Sequence, residues 1–474
     1  MNRFFPIFLV AVSLLAVFSS SSAQDFSLIR NDIEVGYGPV GVYYDSVTKV
    51  YDVMCSGFDA NYNGKFEPDS GDVMPSWWVV TIDFDGQNYN YTSEKKIDFV
   101  FNSLPYFTFR PAFIPTERKI YIPEISGIYC YSLDNFQRTG ETYPYYATGL
   151  GYKDGLLYIA NSLQMDAQDS IIVMDTEIGL EQSIFSAGVN LLQAIPYTPI
   201  NSGDFGLAAL NLGEYFSDAS TVMYDDFPGT ESPNFFTINI GNTGNHIGTY
   251  WSNQEQLSFL YTTSMFTGAV NIIDPANDYN KVINTNSNEW TGPSFSSIID
   301  FTDNNNTTNY LFTSTYNGTI EVRKLNISID GDNTDIADEF IQSVETGGYK
   351  IEAFNVRNTG DNLLLLATNT FDESYSPANT LSLISLKNPN NISENEIDQV
   401  RIFPNPTHGI VKLSNIDVNE ISSIQIYNLN GQVLMQLENL TTNILDLSQF
   451  SDGTYILQIS SKKGFFIKKI ELIK

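Results

Sequence analysis

The chain has few of the side chains on which most catalytic centres depend. Its 474 residues include two cysteines, Cys55 and Cys130, and two histidines, His246 and His408. Two cysteines exclude a disulfide scaffold and a zinc site built from cysteines. Two histidines leave almost no material for a Ser-His-Asp triad, a Cys-His pair or a histidine-bound metal. The sequence leaves open whether the cysteines form one disulfide, since a bridge requires their Cα atoms to lie within about 7 Å.

Basic residues are also scarce. The chain has 24 lysines and arginines against 55 acidic residues, which gives a formal net charge of −31. A chain of this charge repels phosphate groups, so the composition argues against nucleic acid and anionic membrane surfaces as partners. The acidity indicates a well-solvated exterior, with cation binding as the alternative.

Long apolar runs are missing everywhere except at the N-terminus. Residues 4–18 are apolar, follow the positive Asn2-Arg3 and precede the small residues Ser21-Ser22-Ala23. This run is shorter than the roughly 20 residues that span a bilayer comfortably. The pattern predicts a secretory signal peptide over residues 1–23, export of the protein, and no transmembrane segment.

The region from residue 25 to 396 is rich in short alternating runs bounded by Gly, Asn, Asp and Pro, which is typical of strands and tight turns. The runs occur as about seven pairs, most of which follow one another at about 50 residues, the spacing of four-stranded propeller blades. The pairs are 49–55 with 77–83, 119–123 with 127–134, 156–160 with 170–175, 206–210 with 220–224, 257–261 with 269–274, 309–313 with 318–322, and 362–367 with 380–385.

Short phrases that precede several pairs complete the repeat. They are Gly41-Val-Tyr-Tyr-Asp, Pro111-Ala-Phe-Ile-Pro and Gly149-Leu-Gly-Tyr, and each would be an innermost strand. This order resembles that of Tyr-Val-Thr-Asn-type surface propellers. The predicted fold is all-β, with a seven-bladed β-propeller over residues 25–396, because a ring of blades leaves few exposed sheet edges. A row of β-sandwiches or a β-helix is the alternative, and neither explains the period as well.

The last 75 or so residues have a different pattern. They open with Val400-Arg-Ile-Phe-Pro-Asn-Pro-Thr-His-Gly409, continue through Ile424-Gln-Ile-Tyr-Asn-Leu-Asn-Gly431 and Asp452-Gly-Thr-Tyr, and end in a lysine-rich strand. This segment resembles the type A C-terminal sorting domain of the type IX secretion system of Bacteroidota. The resemblance implies a small Ig-like β-sandwich over residues 400–474, an interaction with the type IX machinery, and delivery to the cell surface or the extracellular medium.

The loop between the first pair of strands has the spacing of a calcium loop. Oxygen-bearing side chains alternate before a glycine, which permits the sharp turn that brings them round one ion. The expected ligands are Asp59, Asn61, Asn63 and the Lys65 carbonyl, with Glu67, Asp69 and Asp72 as further candidates. Ser70 stands where an EF-hand has its bidentate glutamate, and an Asn/Asp/Gly-rich turn without metal is the alternative. The ion would have a structural role.

Aromatic side chains recur near the loops that are expected to join one blade to the next. In such a propeller these loops surround the channel mouth, where ligands usually bind. The predicted ligand-binding residues are Tyr106, Arg110, Tyr145, Tyr197, Trp251 and Trp290. The alternative for any one of the aromatic residues is packing between blades.

The sequence therefore predicts an exported propeller that binds a small molecule, a glycan or a protein without catalysis. The alternatives are an extracellular glycan hydrolase or lyase that depends on carboxylates or calcium, and an adhesion module. Among 55 acidic residues no catalytic pair can be distinguished by spacing. No residue is assigned a catalytic role.

Overall fold

The computed structural model describes residues 26–474, except 62, 64, 87, 100–109, 125, 163–167, 199–204, 214–219, 228–234, 287–291, 304–305, 332, 387–400, 415, 417, 419–420, 429–431, 439, 441 and 462–463. The predicted signal peptide, Tyr106 and Trp290 lie outside these residues. The chain forms two compact units, one of which spans Asp25–Asn391 and the other of which contains Ile392–Lys474. Within the described part of the chain, no helix has the length and apolar character needed to cross a membrane.

The larger unit consists of antiparallel sheets, each with four strands, and the described residues form seven of them. We call them blades 1 to 7 and give the strands of each from the inside outwards. The first three blades are β2 (Pro39–Asp45), β3 (Val50–Cys55), β4 (Ser76–Phe84) and β5 (Tyr89–Asp98); β6 (Ala112–Ile114), β7 (Lys119–Glu124), β8 (Gly127–Ser132) and β9 (Arg138–Tyr143); and β10 (Ala147–Lys153), β11 (Leu156–Asn161), β12 (Gln168–Asp175) and β13 (Leu180–Val189).

The other four blades repeat this order. They are β14 (Leu191–Tyr197), β15 (Phe205–Asn211), β16 (Ser220–Phe227) and β17 (Phe236–Gly241); β18 (Gly244–Ser252), β19 (Leu257–Ser264), β20 (Ala269–Asp274) and β21 (Tyr279–Asn284); β22 (Pro293–Asp303), β23 (Asn306–Thr315), β24 (Thr319–Asp330) and β25 (Asn333–Glu345); and β26 (Phe354–Asn358), β27 (Leu363–Phe371), β28 (Pro377–Ser385) and β1 (Ser27–Glu34). Two short 3-10 helices, Pro68–Ser70 and Pro115–Glu117, lie in the connections of blades 1 and 2.

The middle two strands of every blade coincide with the seven predicted strand pairs. The second strand of each blade is largely buried, and in β19 and β20 every residue is buried. Strands that are covered on both faces read as nearly continuous apolar runs, so they give the clearest signal in the sequence. The outer strands are half exposed and give a weaker one. The predicted all-β propeller fold is confirmed.

Apolar clusters between neighbouring blades close the ring. The described residues form seven such clusters, each shared by two successive blades, including one between blades 7 and 1. In the cluster of blades 1 and 2, Trp77 packs against Tyr131 and Phe136. Because each sheet buries both faces against its neighbours, no blade is an edge of the assembly.

The N-terminal strand β1 completes the last blade. It pairs with β28, with Ile33 opposite Leu381, and Ile33 has no exposed surface. Phe26, just before the strand, makes edge-to-face contacts with Tyr310 and Phe312 at centroid distances of 5.4 and 5.3 Å. The two ends of the propeller sequence are therefore joined in one sheet.

The two cysteines are both free and buried. Cys55 lies in the cluster between blades 7 and 1, whereas Cys130 lies in the one between blades 2 and 3. This placement answers the question that the sequence left open: the structure contains no bridge between them. Burial raises the pKa of both thiols, so they behave as small apolar side chains.

The C-terminal unit has two antiparallel sheets. One contains β29 (Arg401–Phe403), β30 (Ile410–Ser414) and β33 (Ile444–Asp446), and the other β31 (Ile421–Tyr427), β32 (Val433–Glu438), β34 (Gly453–Ser461) and β35 (Gly464–Leu472). Buried residues of both sheets form one apolar cluster, with Val411 and Leu445 from the first sheet and Ile424, Leu457 and Ile470 from the second. The unit is therefore a small two-layer sandwich.

Candidate functional site

A cavity of about 170 Å³ lies at the centre of the propeller, where the innermost strands begin. Its lining comes from blades 1, 2, 4, 5, 6 and 7, either from the first residues of an inner strand or from the residues just before one. The lining residues are Val40, Val42, Tyr43, Arg110, Pro111, Gln193, Asn245, His246, Ser294, Phe295, Glu352 and Ala353. The connections between successive blades reach the inner strands at this end, so the cavity is at the channel mouth.

A recurrent irregularity at the start of the inner strands shapes this lining. The strand register shifts between Pro39 and Gly41 in β2, and a shift at the same place recurs in four other inner strands. The other shifts lie at Ala147/Gly149, Leu191/Gln193, Gly244/His246 and Pro293/Phe295. A β-bulge redirects the side chains beside it and is common next to functional sites. Val40, Asn245 and Ser294 occupy these bulges and line the cavity.

Arg110 is the cation of the cavity wall. Its Nη2 donates to the backbone carbonyl of Asn245 at 2.7 Å, which ties blade 2 to blade 5 across the channel. Burial lowers the pKa of the guanidinium to about 10, although Glu352 and Tyr43 favour its charged form. The side chain therefore keeps its charge at neutral pH in a place where little water solvates it.

His246 lies beside Arg110 on β18. Its ring is 3.9 Å from that of Phe295, centroid to centroid. Burial, and then the positive charge of Arg110, lower the pKa of His246 to about 3. The imidazole is therefore neutral outside the cell and presents one N–H donor and one acceptor nitrogen. It cannot serve as a cation.

Two polar atoms of the cavity wall have no hydrogen-bond partner among the described residues. They are the Nδ1 of His246 and the Oε1 of Gln193, both buried. A buried polar atom without a partner costs about 1–3 kcal/mol, so such atoms usually face a water or a bound molecule. Both atoms belong to residues that line the cavity, but the atoms themselves are buried and are not exposed in it.

Glu352 brings a carboxylate to the same cavity. Its side chain is 8% exposed and is paired with Lys350, the Nζ of which lies 2.5 Å from Oε1. The Lys350 ammonium also lies over the rings of Tyr316 and Phe371, at 5.1 and 5.5 Å from their centroids. Although burial opposes its charge, these partners raise the pKa of Lys350 to about 12. The Lys350 ammonium is therefore charged at neutral pH.

Tyr43 forms the aromatic part of the wall. Its ring stacks on that of Phe113 at 5.4 Å between centroids. Burial raises the pKa of its hydroxyl above the usual range, although Arg110 opposes the shift. The hydroxyl is therefore protonated and can both donate and accept a hydrogen bond.

The structure separates the residues that the sequence grouped as ligand-binding. Arg110 lines the cavity. Tyr145 precedes β10, and its hydroxyl donates to Glu181 at 2.9 Å. Tyr197 and Trp251 lie near the C-terminal ends of the inner strands β14 and β18, away from the mouth. The sequence analysis expected them near loops between blades, but the structure places both residues within strands. Tyr197 is buried between blades 4 and 5, and Trp251 is exposed.

The sequence analysis missed most of the polar lining: Tyr43, Gln193, Asn245, His246 and Glu352. These residues share a position rather than a residue type, since each lies within the first few residues of an inner strand or just before one. A search for polar side chains at those positions of the repeat would have found them. The sequence-based choice favoured aromatic residues instead, and of the described ones Tyr145 and Tyr197 pack between blades whereas Trp251 is exposed.

The predicted calcium loop lies between β3 and β4. Both carboxylate oxygens of Asp72 accept backbone N–H groups, from Ala60 at 2.8 Å and from Glu67 at 2.6 Å. The side-chain amides of Asn61 and Asn63 each donate to Glu67 at 2.8 Å. A calcium ion here would require both amides to turn their carbonyl oxygens towards it. Among the residues that the structure describes, no group of three His, Cys, Asp or Glu is arranged to hold a metal.

In the C-terminal unit, the residues that open the segment are fixed to its last strand. The side chain of Asn405 donates to the Lys469 carbonyl at 2.8 Å and accepts from the Glu471 N–H at 2.9 Å. Thr407 exchanges backbone hydrogen bonds with Glu471 and Ile473. At Gly409, which has a φ of +136°, a Cβ would lie 3.1 Å from Ser448, so the position requires glycine.

Comparison with solved structures returns β-propellers at low identity. The extracellular domain of a one-component system from B. thetaiotaomicron is 14% identical, with a TM-score of 0.40, 95% of this chain covered and 57% of that chain. Hydrazine synthase from Kuenenia stuttgartiensis is 12% identical (TM-score 0.47; 74% and 96% covered). The Dos1 propeller is 11% identical (TM-score 0.42; 76% and 96% covered). This chain thus spans little more than half of the first of these structures.

No curated protein matches the sequence. A family model does match its C-terminal unit: residues 401–473 fit the secretion system C-terminal sorting domain. The match includes Asn405 and Thr407, which form hydrogen bonds with the last strand of the unit. The predicted resemblance is therefore confirmed, and this domain indicates type IX secretion to the cell surface or the extracellular space.

Proposed function

We propose that this exported propeller captures a small extracellular ligand in the cavity at its channel mouth, without catalysing a reaction. The observation that carries the proposal is the cavity itself, which residues from six blades line with polar side chains that include Arg110, Gln193 and His246. The cavity volume of about 170 Å³ is close to the roughly 150 Å³ that accommodates a benzene molecule in an engineered protein core. The fitting guest is a molecule, or the end group of a larger one, with about one six-membered ring.

The same wall favours binding over hydrolysis. Glycoside hydrolysis uses two carboxylates about 5–10 Å apart across the reacting bond. Glu352 is the one carboxylate among the described lining residues, and its charge is already paired with Lys350. A neutral histidine with a pKa near 3 is also a poor proton acceptor at neutral pH. These groups can hold a ligand by hydrogen bonds, and nothing in their arrangement activates water.

The test is a ligand panel on the chain without residues 1–23, read by thermal shift and by product analysis. We expect at least one ligand to raise the melting temperature, no turnover of that ligand, and loss of the shift in His246→Phe and in Gln193→Leu. Trp251→Leu is the matched control, since Trp251 is exposed at the other end of its strand. Product formation, or a shift that survives both cavity variants, would contradict the proposal.

A further inference from the structure

The outer face of the smaller C-terminal sheet is apolar, although the pattern of a sandwich calls for polar residues there. Along each strand of a sandwich, residues that face the core alternate with residues that face solvent. On β30 the core residue Val411 follows Ile410, which is 60% exposed. Phe403 on β29 is 47% exposed, and Ile444 on β33 is 51% exposed. All three strands of this sheet therefore present a large apolar side chain on the outside.

The strand register places these side chains next to one another. Lys412 on β30 lies directly opposite Phe403 on one neighbouring strand and opposite Ile444 on the other. Residues that lie opposite each other have Cβ atoms about 4.5–5.5 Å apart. Ile410 is on the same face of β30, two residues before Lys412. These four residues, which we call the β30 patch, therefore form one continuous surface in which three apolar side chains surround a lysine.

The larger sheet of the same unit has the ordinary arrangement. A row of three glutamines, Gln436, Gln425 and Gln458, crosses its outer face on neighbouring strands. The side-chain amide of Gln425 donates to Gln436 at 2.9 Å, and the hydroxyl of Tyr427 donates to the Oε1 of Gln425 at 2.6 Å. One outer face of the sandwich is thus polar and bonded within itself, whereas the other is apolar.

The fold does not explain the apolar side chains of the β30 patch. Phe403, Ile410 and Ile444 are not members of the core cluster of the unit. Lys412 forms no ion pair and no side-chain hydrogen bond with any residue that the structure describes. Single exposed apolar residues are common, but adjoining ones with polar groups around them are typical of surfaces that contact another protein.

The partner must suit both the domain and its charge. The β30 patch lies within the segment that matches the sorting domain, which the type IX machinery reads. Residues 401–474 have seven basic and six acidic residues, whereas the rest of the chain has 17 and 49. An acidic partner would repel the rest of the chain but not this unit. A lysine that becomes covered among apolar side chains needs a negative charge beside it.

We propose that the β30 patch is the surface through which the sorting domain binds a protein of the type IX machinery. The complementary surface of that protein is apolar and carries a carboxylate opposite Lys412. The glutamine row on the other sheet stays in contact with water. This inference concerns delivery of the protein and does not depend on ligand capture by the propeller.

The test follows delivery of the full-length chain in a Bacteroidota host, by immunoblots of periplasmic, surface and medium fractions. Ile410→Glu and Ile444→Glu should each lower the delivered share about tenfold or more, since the loss of one central contact weakens an interface by a factor of this size. Lys412→Glu should act in the same way, whereas Lys412→Arg keeps the charge and should be delivered normally. Gln425→Glu is the matched control, because it puts the same charge on the outer face of the other sheet.

A second measurement separates lost recognition from lost stability. The purified chains without residues 1–23 are compared by melting temperature and by light scattering. We expect equal melting temperatures, because the substituted side chains lie outside the core cluster. Normal delivery of Ile410→Glu and Ile444→Glu, equal retention of Gln425→Glu, or a lower melting temperature in the patch variants alone would overturn the proposal. A wild-type dimer that the patch variants dissociate would identify a second copy as the partner and would also overturn it.

Discussion

Asp52 is an acidic residue whose surroundings oppose its ionisation. The side chain is buried between blades 1 and 2, where its Oδ1 accepts the Trp77 indole N–H at 2.7 Å. Its Oδ2 has no partner among the described residues. Burial raises the pKa of this carboxyl to about 7, although the Trp77 hydrogen bond lowers it. The folded state therefore holds a proton that the unfolded chain releases near pH 4.

We predict that Asp52→Asn stabilises the protein at alkaline pH. Between about pH 4 and 7 the folded state binds more protons at Asp52 than the unfolded state, so wild-type stability falls as pH rises through that window. The slope is at most about 1.4 kcal/mol per pH unit, and the loss is complete above pH 7. The asparagine side chain does not ionise, so the variant does not lose stability in this way, and its side-chain oxygen still provides an acceptor for the Trp77 indole N–H. Urea unfolding at several pH values should show a gap that widens from pH 4 to 7.

Asp45 is the matched control, since its pKa is shifted in the other direction. Burial opposes its charge, but hydrogen bonds from Thr48 and Arg118 outweigh burial, and the pKa is lowered. Its contribution is present above the unfolded pKa and disappears in acid. Asp45→Asn should therefore destabilise the protein at pH 8, where Asp52→Asn stabilises it. A gap for Asp52→Asn that does not vary with pH would contradict the assignment.

At the scale of single elements, strand β1 joins the N-terminal end of the propeller sequence to its last blade. It supplies the outermost strand of blade 7, and its residue Ile33 lies in the cluster between blades 7 and 1. Opening this strand would expose that cluster and leave β28 as a free edge. The stability of the ring should therefore be sensitive to side chains of β1 that face the core.

We predict that Ile33→Ala lowers the free energy of unfolding by about 2–5 kcal/mol, the range for large-to-small substitutions in a core. Ile33 has no exposed surface, whereas Leu28 on the same strand is 36% exposed. Leu28→Ala should cost much less, and it serves as the control for changes in strand propensity. Equal losses in the two variants, measured by urea unfolding, would show that the strand does not close the ring through its buried face.

The loop between β3 and β4 carries the calcium prediction. Its backbone already curves round side-chain oxygens, as the bonds from the Asn63 N–H to Asp59 and Asn61 show. If calcium binds, a chelator should lower the melting temperature, because a ligand at a hundred times its Kd stabilises by about 2.7 kcal/mol. Asp59→Ala should remove that response, and Asp330→Ala, in a distant turn, should retain it. If the chelator does not change the melting temperature, the predicted calcium site is refuted.

At the scale of the whole molecule, the cavity and the sorting domain lie in different units. The propeller unit contains the cavity, and the C-terminal unit matches the sorting domain at residues 401–473. We predict that a chain ending at residue 400 remains in the periplasm, because the type IX machinery reads the part that is missing. Immunoblots of periplasmic, surface and medium fractions from a Bacteroidota host would show this, with the complete chain as control. Surface delivery of the shortened chain would contradict it.

The sequence by itself determined the propeller repeat and the C-terminal sorting signature. Buried middle strands need apolar residues on both faces, so all seven pairs are visible as short apolar runs, most of which follow one another at about 50 residues. The sorting signature is visible for a different reason: Asn405 and Gly409 each meet a local backbone requirement that few other residues satisfy. Local requirements leave marks at fixed positions in a sequence, and such marks can be read without a structure.

The tertiary structure alone decided the closure of the ring and the composition of its mouth. Ile33 meets Leu381 across more than three hundred residues, and Arg110 reaches the carbonyl of Asn245 from another blade. Residues such as Gln193 and His246 are unremarkable in their own strands, but each lies at a bulge of a separate blade and both line one cavity. Long-range convergence of this kind leaves no local pattern, since each strand satisfies its own hydrogen bonds whichever side chain it points inwards.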